Sequence, residues 1–158
     1  MNGCLVTPAG HGQPGGMTEQ QRAPEVWRRE NDSSQLTAPR VLVRVFLGPG
    51  ALEPGIGFYE RLQGVTADAR FAFGALRLAT VGAFLLIEGP EAELAPFRST
   101  TGTLLVDDVR PYHDRLVAAG AEIVFPFQEV PTGAGFNARH PDGTVVEYVH
   151  HRPTAEGR

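Results

Sequence analysis

The sequence predicts an α+β domain made of two copies of one strand–helix–three-strand unit. Three observations carry that prediction. Strand-like and helix-like segments follow the same order twice between residues 40 and 151. The two helix segments match within themselves, Phe58-Tyr-Glu-Arg-Leu62 against Tyr112-His-Asp-Arg-Leu116. The two last strands also match, Ala83–Glu88 against Thr144–Val149. A repeat of this length present in only two copies fits a duplicated domain, not a solenoid.

The first module runs from about residue 40 to 90. Val41-Leu-Val-Arg-Val-Phe-Leu47 is rich in β-branched residues and reads as a strand, broken by Gly48-Pro49-Gly50. Leu52, Ile56, Tyr59 and Leu62 recur at helical spacing until Gly64 ends the segment. Ala69–Phe73, Leu76–Val81 and Ala83–Glu88 follow as short strands, closed by Gly89-Pro90. After a linker from Glu91 to Thr100, the second module (about 101–151) repeats the order. Thr103–Asp108 is a strand, and Val109, Tyr112, Leu116 and Ala119 form a helix face ended by Gly120. Glu122–Phe127, Gly135–Ala138 and Thr144–His150 are the remaining strands. Pro141-Asp-Gly143 before the last of them is a hairpin signal. Gly133-Ala-Gly135 reads as a flexible bend, with no strand-to-helix transition to make it a phosphate cradle.

Residues 1–39 differ in kind. They are rich in Gly, Pro, Gln, Ser and Asn, and their apolar residues are sparse and aperiodic. Such a stretch buries too little surface to offset its ordering entropy, so a disordered or weakly ordered arm is expected. Pro24-Glu-Val-Trp-Arg-Arg-Glu30 could form a short helix anchored by Trp27. Met17, after Gly15-Gly16, is a candidate translation start, and residues 152–158 read as a flexible tail.

Composition narrows the chemistry. All fourteen Lys+Arg residues are arginines, which removes Schiff-base and lysine-base catalysis. Cys4 is the single cysteine, so neither an intrachain disulfide nor a cysteine-rich zinc site can form. A formal net charge of -4 gives no electrostatic pull towards nucleic acid or anionic lipid. No apolar run reaches membrane-span length, and no basic start with an apolar signal core is seen; a cytoplasmic protein is expected.

Strand alternation sorts the faces. Val41, Val43, Val45, Leu47, Leu85, Ile87, Leu104, Val106, Val146 and Tyr148 form an all-apolar class, expected to lie under the helices. The opposite class mixes apolar and polar residues: Leu42, Arg44, Phe46, Phe84, Leu86, Glu88, Thr101, Thr103, Leu105, Val145, Glu147 and Val149. That mixture is what a curved sheet turns towards a ligand cavity.

Four segments resemble the vicinal-oxygen-chelate superfamily of glyoxalase I, extradiol dioxygenases, fosfomycin-resistance enzymes and bleomycin-binding proteins. They are Gly57-Phe-Tyr-Glu-Arg-Leu-Gln-Gly64, Val106-Asp-Asp-Val109, Leu116-Val-Ala-Ala-Gly-Ala-Glu122 and His140-Pro-Asp-Gly-Thr-Val-Val-Glu-Tyr148. The resemblance spans about Arg40 to His151, and its final segment is the most specific. It implies a glyoxalase-like fold, with paired βαβββ modules forming a cupped mixed β-sheet around one cavity, and frequent homodimers. It fixes no reaction, because such a fold hosts many.

Metal-dependent members of that superfamily place ligands at four equivalent strand positions, which here fall on Arg40, Leu86, Thr101 and Glu147. Of these, Glu147 alone is a plausible divalent-metal ligand. Leucine has no donor, arginine repels a cation, and a neutral hydroxyl binds weakly. A two-residue shift would bring in Glu88, still without a histidine. The ligand count therefore predicts no metal site and no cofactor. The five histidines do not supply one: His150 and His151 are neighbours on a strand and point to opposite faces, which reads as a partly exposed strand end.

In place of a chelate, Arg40 and Glu147 could pair across the module junction, with Arg44 pointing into the same cup. Such charges either bind an oxygen-rich ligand or satisfy one another and hold the modules together. Phe46, Phe84 and Phe136, with Phe71, Phe73, Phe125 and Phe127, are candidates for an aromatic wall. The expected ligand-binding set is thus Arg40, Arg44, Phe46, Phe84, Leu86, Thr101, Thr103, Phe136 and Glu147. The leading functional expectation is a metal-free protein that binds or sequesters a small aromatic or hydrophobic molecule. The alternative is a metal-independent isomerase, cyclase or lyase with Glu147 as general acid or base. A metal-dependent glyoxalase or dioxygenase follows the superfamily pattern but not these residues, and no residue speaks for or against a protein-interaction domain.

Overall fold

The structure, a computed structural model, describes the backbone of residues 26–28 and, in full, residues 32–152. Cys4, His11, Met17, the docking of Trp27 and the tail beyond Arg152 lie outside the described residues.

Each module forms its elements in the predicted order, although the first strand of the second module lies three residues earlier than Thr103–Asp108. In the first, β2 (Arg40–Leu47) leads into α1 (Leu52–Gln63), followed by β3 (Ala69–Phe73), β4 (Leu76–Val81) and β5 (Phe84–Glu88). In the second, β6 (Thr100–Leu105) leads into α3 (Val109–Ala118), then β7 (Glu122–Val130), β8 (Gly133–Arg139) and β9 (Val145–His151). Together with β1 (Val26–Arg28) they make one nine-stranded mixed sheet, ordered β1-β3-β4-β5-β2-β6-β9-β8-β7. The modules meet where β2 pairs antiparallel with β6, Leu42 opposite Thr103. Within each module the first and last strands run parallel, Arg44 opposite Leu85 and Thr103 opposite Glu147.

The helices cover the convex face. Leu52 and Ile56 of α1 pack on Ala79, Val81 and Leu86, and Phe84 lies against Tyr59 with ring centroids 4.4 Å apart. In the second module Val109, Tyr112 and Leu116 of α3 cover Phe136, Ala138 and Tyr148. Gly64 stops α1 in the left-handed conformation (φ 65°), donating its N–H to the Glu60 carbonyl. Asp108 caps α3 by accepting from the Arg110 N–H at 3.0 Å.

Five other expectations change. The stretch around Val26 is a strand on the edge of β3, not a helix. Ser33, assigned to the arm, is held to the second module: it is 3% exposed, and its Oγ donates to the Val106 carbonyl at 2.6 Å. The linker folds into α2 (Glu91–Leu94) and a 3-10 turn (Ala95–Phe97), whose Leu94 and Phe97 pack into the concave side. Gly133-Ala-Gly135 is part of β8, not a bend. It runs so close to β9 that a Cβ on Gly135 would lie 2.9 Å from the Tyr148 carbonyl oxygen. Finally, Val41 and Val43 are not under the helices; they are 58% and 50% exposed on the convex face.

Candidate binding site

The concave face holds a cavity, open at its mouth, lined by side chains of both modules and of the linker between them. One side is apolar and comes from the first module: Leu42, Phe71, Phe73, Leu78, Leu85 and Ile87. Phe97 closes over it, its ring centroid 5.5 Å from that of Phe125 and 6.3 Å from that of Phe73. The other side carries the polar groups of the second module, Thr103, Gln128, Asn137, Glu147 and His151.

At the junction three side chains form one cluster. Arg44 Nη2 contacts Glu147 Oε2 at 2.8 Å, and its Nε donates to Thr103 Oγ1 at 3.0 Å. Thr103 in turn donates to the same Glu147 oxygen at 2.7 Å. Both contacts of the carboxylate use Oε2, while Oε1 takes part in neither. Arg44 is 4% and Glu147 25% exposed at the side chain, so the guanidinium is buried and the carboxylate reaches the cavity. Arg44 Nη1 is buried without a hydrogen-bond partner among the described residues.

The structure brings together only part of the sequence-predicted set. Arg44, Thr103 and Glu147 converge. Phe46 packs on the apolar cluster of the cup, with the Arg98 guanidinium 5.1 Å from its ring centre. Phe136 borders the cavity, but its ring stacks on Tyr148, centroids 5.2 Å apart, beneath α3. Phe84 and Leu86 lie on the helix-covered face, and Leu85 and Ile87 point into the cup in their place. Thr101 is turned to solvent, because a bulge between Thr100 and Gly102 shifts the alternation of β6. Buried Thr100 instead accepts a hydrogen bond from Asn137 Nδ2. Arg40 does not meet Glu147: it pairs with Asp68 at 2.7 Å and borders a smaller pocket beside Asp32 and Ser33.

Residues not singled out for the site by the sequence include Phe97, Asn137 and His151. His150 and His151 are 6% and 8% exposed, so the strand end is buried, not partly exposed. His151 borders the cavity, while His150 Nδ1 accepts from the Val109 N–H at 3.2 Å, at the start of α3. Desolvation first, then the charge of Arg152, hold the His150 pKa below the ordinary histidine value, against the opposing pull of Asp108. On the same convex face burial pushes the Tyr148 hydroxyl pKa up.

The donor set does not fit a divalent metal. Cup-facing donors on the four central strands are Thr103, Glu147 and His151, and the last two are four residues apart on β9, about 13 Å along an extended strand. Among the described residues no group of three or more His, Cys, Asp or Glu side chains is placed to hold a metal ion. Glu88, the second carboxylate within a two-residue shift, faces α1 instead: its Oε2 accepts from the Leu52 N–H at 2.6 Å. Among the described residues no helix is long and apolar enough to cross a membrane.

No protein-family model and no curated protein matches the chain. Among solved structures, an uncharacterised hypothetical protein from Methanosarcina mazei is 39% identical, covering 71% of this chain and 91% of that one at a TM-score of 0.65. The chain belongs to that protein's family. A methylmalonyl-CoA epimerase variant from Streptomyces coelicolor, in complex with 2-nitronate-propionyl-CoA, matches at a TM-score of 0.50 with 17% identity. That match covers 77% of this chain and 99% of the epimerase. At that identity the likeness concerns the fold alone, the glyoxalase-like cupped sheet that both modules of this family member build.

Proposed function

We propose that the chain is a vicinal-oxygen-chelate-type protein whose cup binds a small, largely aromatic or hydrophobic molecule without a divalent metal. The observation that carries this reading is the pairing of an aromatic-walled cavity with a floor carboxylate engaged by Arg44 and Thr103. A lone carboxylate paired with a buried guanidinium is a poor metal site, because the guanidinium's charge opposes a second cation beside it and, among the described residues, no histidine or second carboxylate joins it. Apolar walls with a few placed polar groups suit a small organic ligand. The motifs around Gly57–Gly64 and His140–Tyr148 support the superfamily assignment.

One observation favours an enzymatic reading of the same site: Oε1 of Glu147 takes part in neither contact of its carboxylate. A general base needs a lone pair that can face the substrate. Glu147→Gln separates the two readings, since a binder keeps its affinity within a few-fold and an acid–base enzyme loses turnover.

The test is calorimetric titration with 2-ethylnaphthalene. Saturable one-to-one binding is expected, and it should disappear in Val130→Trp, which fills the cavity from its half-buried lip while the circular dichroism spectrum stays unchanged. No binding, or equal binding in that variant, would refute the reading. So would stoichiometric divalent metal in protein purified without chelators.

A further inference from the structure

We infer that Arg44 is the polar anchor of the ligand, and that the ligand is an aromatic molecule presenting one neutral oxygen acceptor, such as a ketone, ester or amide carbonyl. The inference rests on the reading of the cup as a binding site and adds the chemistry of what enters it.

Arg44 is 4% exposed at its side chain and borders the cavity. Its planar guanidinium satisfies Thr103 through Nε and Glu147 through Nη2. Nη1 carries two further N–H groups and has no partner among the described residues, although it is buried. Leaving donors of a buried cation unmet is costly, and native proteins rarely do so without a functional reason. An oxygen acceptor arriving through the cavity removes that penalty. Nη1 is also covered from solvent, so the acceptor reaches it only where the groups over it move aside.

Charge selects a neutral acceptor. Arg44 and Glu147 already neutralise one another at 2.8 Å. A ligand carboxylate would add a second anion beside Glu147 in a confined, weakly screened space. A carbonyl supplies the same lone pairs without that repulsion. The wall favours an aromatic molecule: the rings of Phe71, Phe73, Phe97 and Phe125 all border the cleft.

Calorimetry with three matched probes tests this. 2-Acetylnaphthalene should bind at least about tenfold tighter than 2-ethylnaphthalene, the yield of one hydrogen bond to a charged donor. 2-Naphthoate should bind no tighter than the ketone. In Arg44→Met the ketone should lose its advantage over the hydrocarbon, the two binding equally. If Arg44→Met misfolds, Arg44→Met combined with Glu147→Gln removes both charges of the pair. The carbonyl stretch of bound 2-acetylnaphthalene gives a readout without any variant and should lie below its value in hexane. Equal binding of ketone and hydrocarbon, a tenfold preference for the naphthoate, an unshifted stretch, or a preference that survives loss of Arg44 would each overturn the inference and leave the cup reading intact. Failure of 2-ethylnaphthalene to bind would overturn the cup reading itself.

Discussion

Glu88→Ala should destabilise the fold by about 3 kcal/mol, and the size of that loss separates a structural carboxylate from a site residue. Glu88 is 5% exposed at the end of β5. Ala51, the N-cap of α1, offers no side-chain cap. Glu88 takes over that duty from a neighbouring strand, accepting the Leu52 N–H at 2.6 Å. A hydrogen bond to a charged group contributes about 1.5–3 kcal/mol, and a negative charge at a helix N-terminus adds about 0.3–1 kcal/mol. Arg77, 53% exposed and 3.1 Å from the other carboxylate oxygen, adds less than about 1 kcal/mol. Glu88→Gln keeps an oxygen acceptor and loses the charge, so it should forfeit about half as much. Urea unfolding monitored by circular dichroism measures both. A loss below about 1 kcal/mol in Glu88→Ala, or a change in ligand binding without a change in stability, would refute the capping role.

Two further outcomes follow from the buried end of β9. The His150 pKa lies below its unfolded value near 6.5, so the unfolded chain takes up a proton first as the pH falls. The stability this neutral imidazole contributes is therefore complete above about pH 6.5 and is lost as the pH falls through the folded value, by at most about 1.4 kcal/mol per pH unit. His150→Gln should flatten that part of the stability–pH curve; an unchanged slope would show that other groups set it. Ser33→Ala removes the hydroxyl that links the Val106 carbonyl at 2.6 Å to the His151 N–H at 2.9 Å. A loss of about 1–3 kcal/mol in urea unfolding is expected, and a loss under 0.5 kcal/mol (below the range of about 1–3 for an unmet buried group) would mean the segment at Ser33 is not an anchor.

The duplication, the element order and the central polar residues were legible because each leaves a periodic or paired trace. Glu147 sets the parity of β9, since one charge in an apolar strand marks the face that must reach polar surroundings. No such mark exists on β5. Phe84-Leu-Leu-Ile87 is apolar at every position because the strand lies between β4 and β2 and is covered on both faces, by α1 on one side and the cup's own core on the other. Alternation therefore cannot tell Leu85 from Leu86. The bulge at Thr100–Gly102 is equally silent, as one inserted residue leaves no compositional trace. Phe97 lies in the linker, outside the repeat, where matching the modules gives no information. His151 and Asn137 are placed by strand ends and register, which a sequence read in three states does not resolve.

Reading the faces correctly changes which positions correspond but not what they can bind. The cup-facing partner of Arg44 on β5 is Leu85, where the cup-facing partner of Thr103 on β9 is Glu147. The two modules thus present an aliphatic residue and a carboxylate at related places. The asymmetry extends across the cup: beside Arg44 and Thr80 the first module lines it with apolar side chains, whereas the second adds Thr103, Gln128, Asn137, Glu147 and His151 to its own Phe125, Val130, Phe136 and Val149. A symmetric chelate needs donors from both halves, and the first half contributes its main charge as a cation, Arg44, already turned towards the second. A ligand that satisfies both halves must be apolar at one end and carry an oxygen acceptor where they join. That requirement comes from the divergence of the two copies, since a duplicated cup with matching halves would have no preferred orientation to impose.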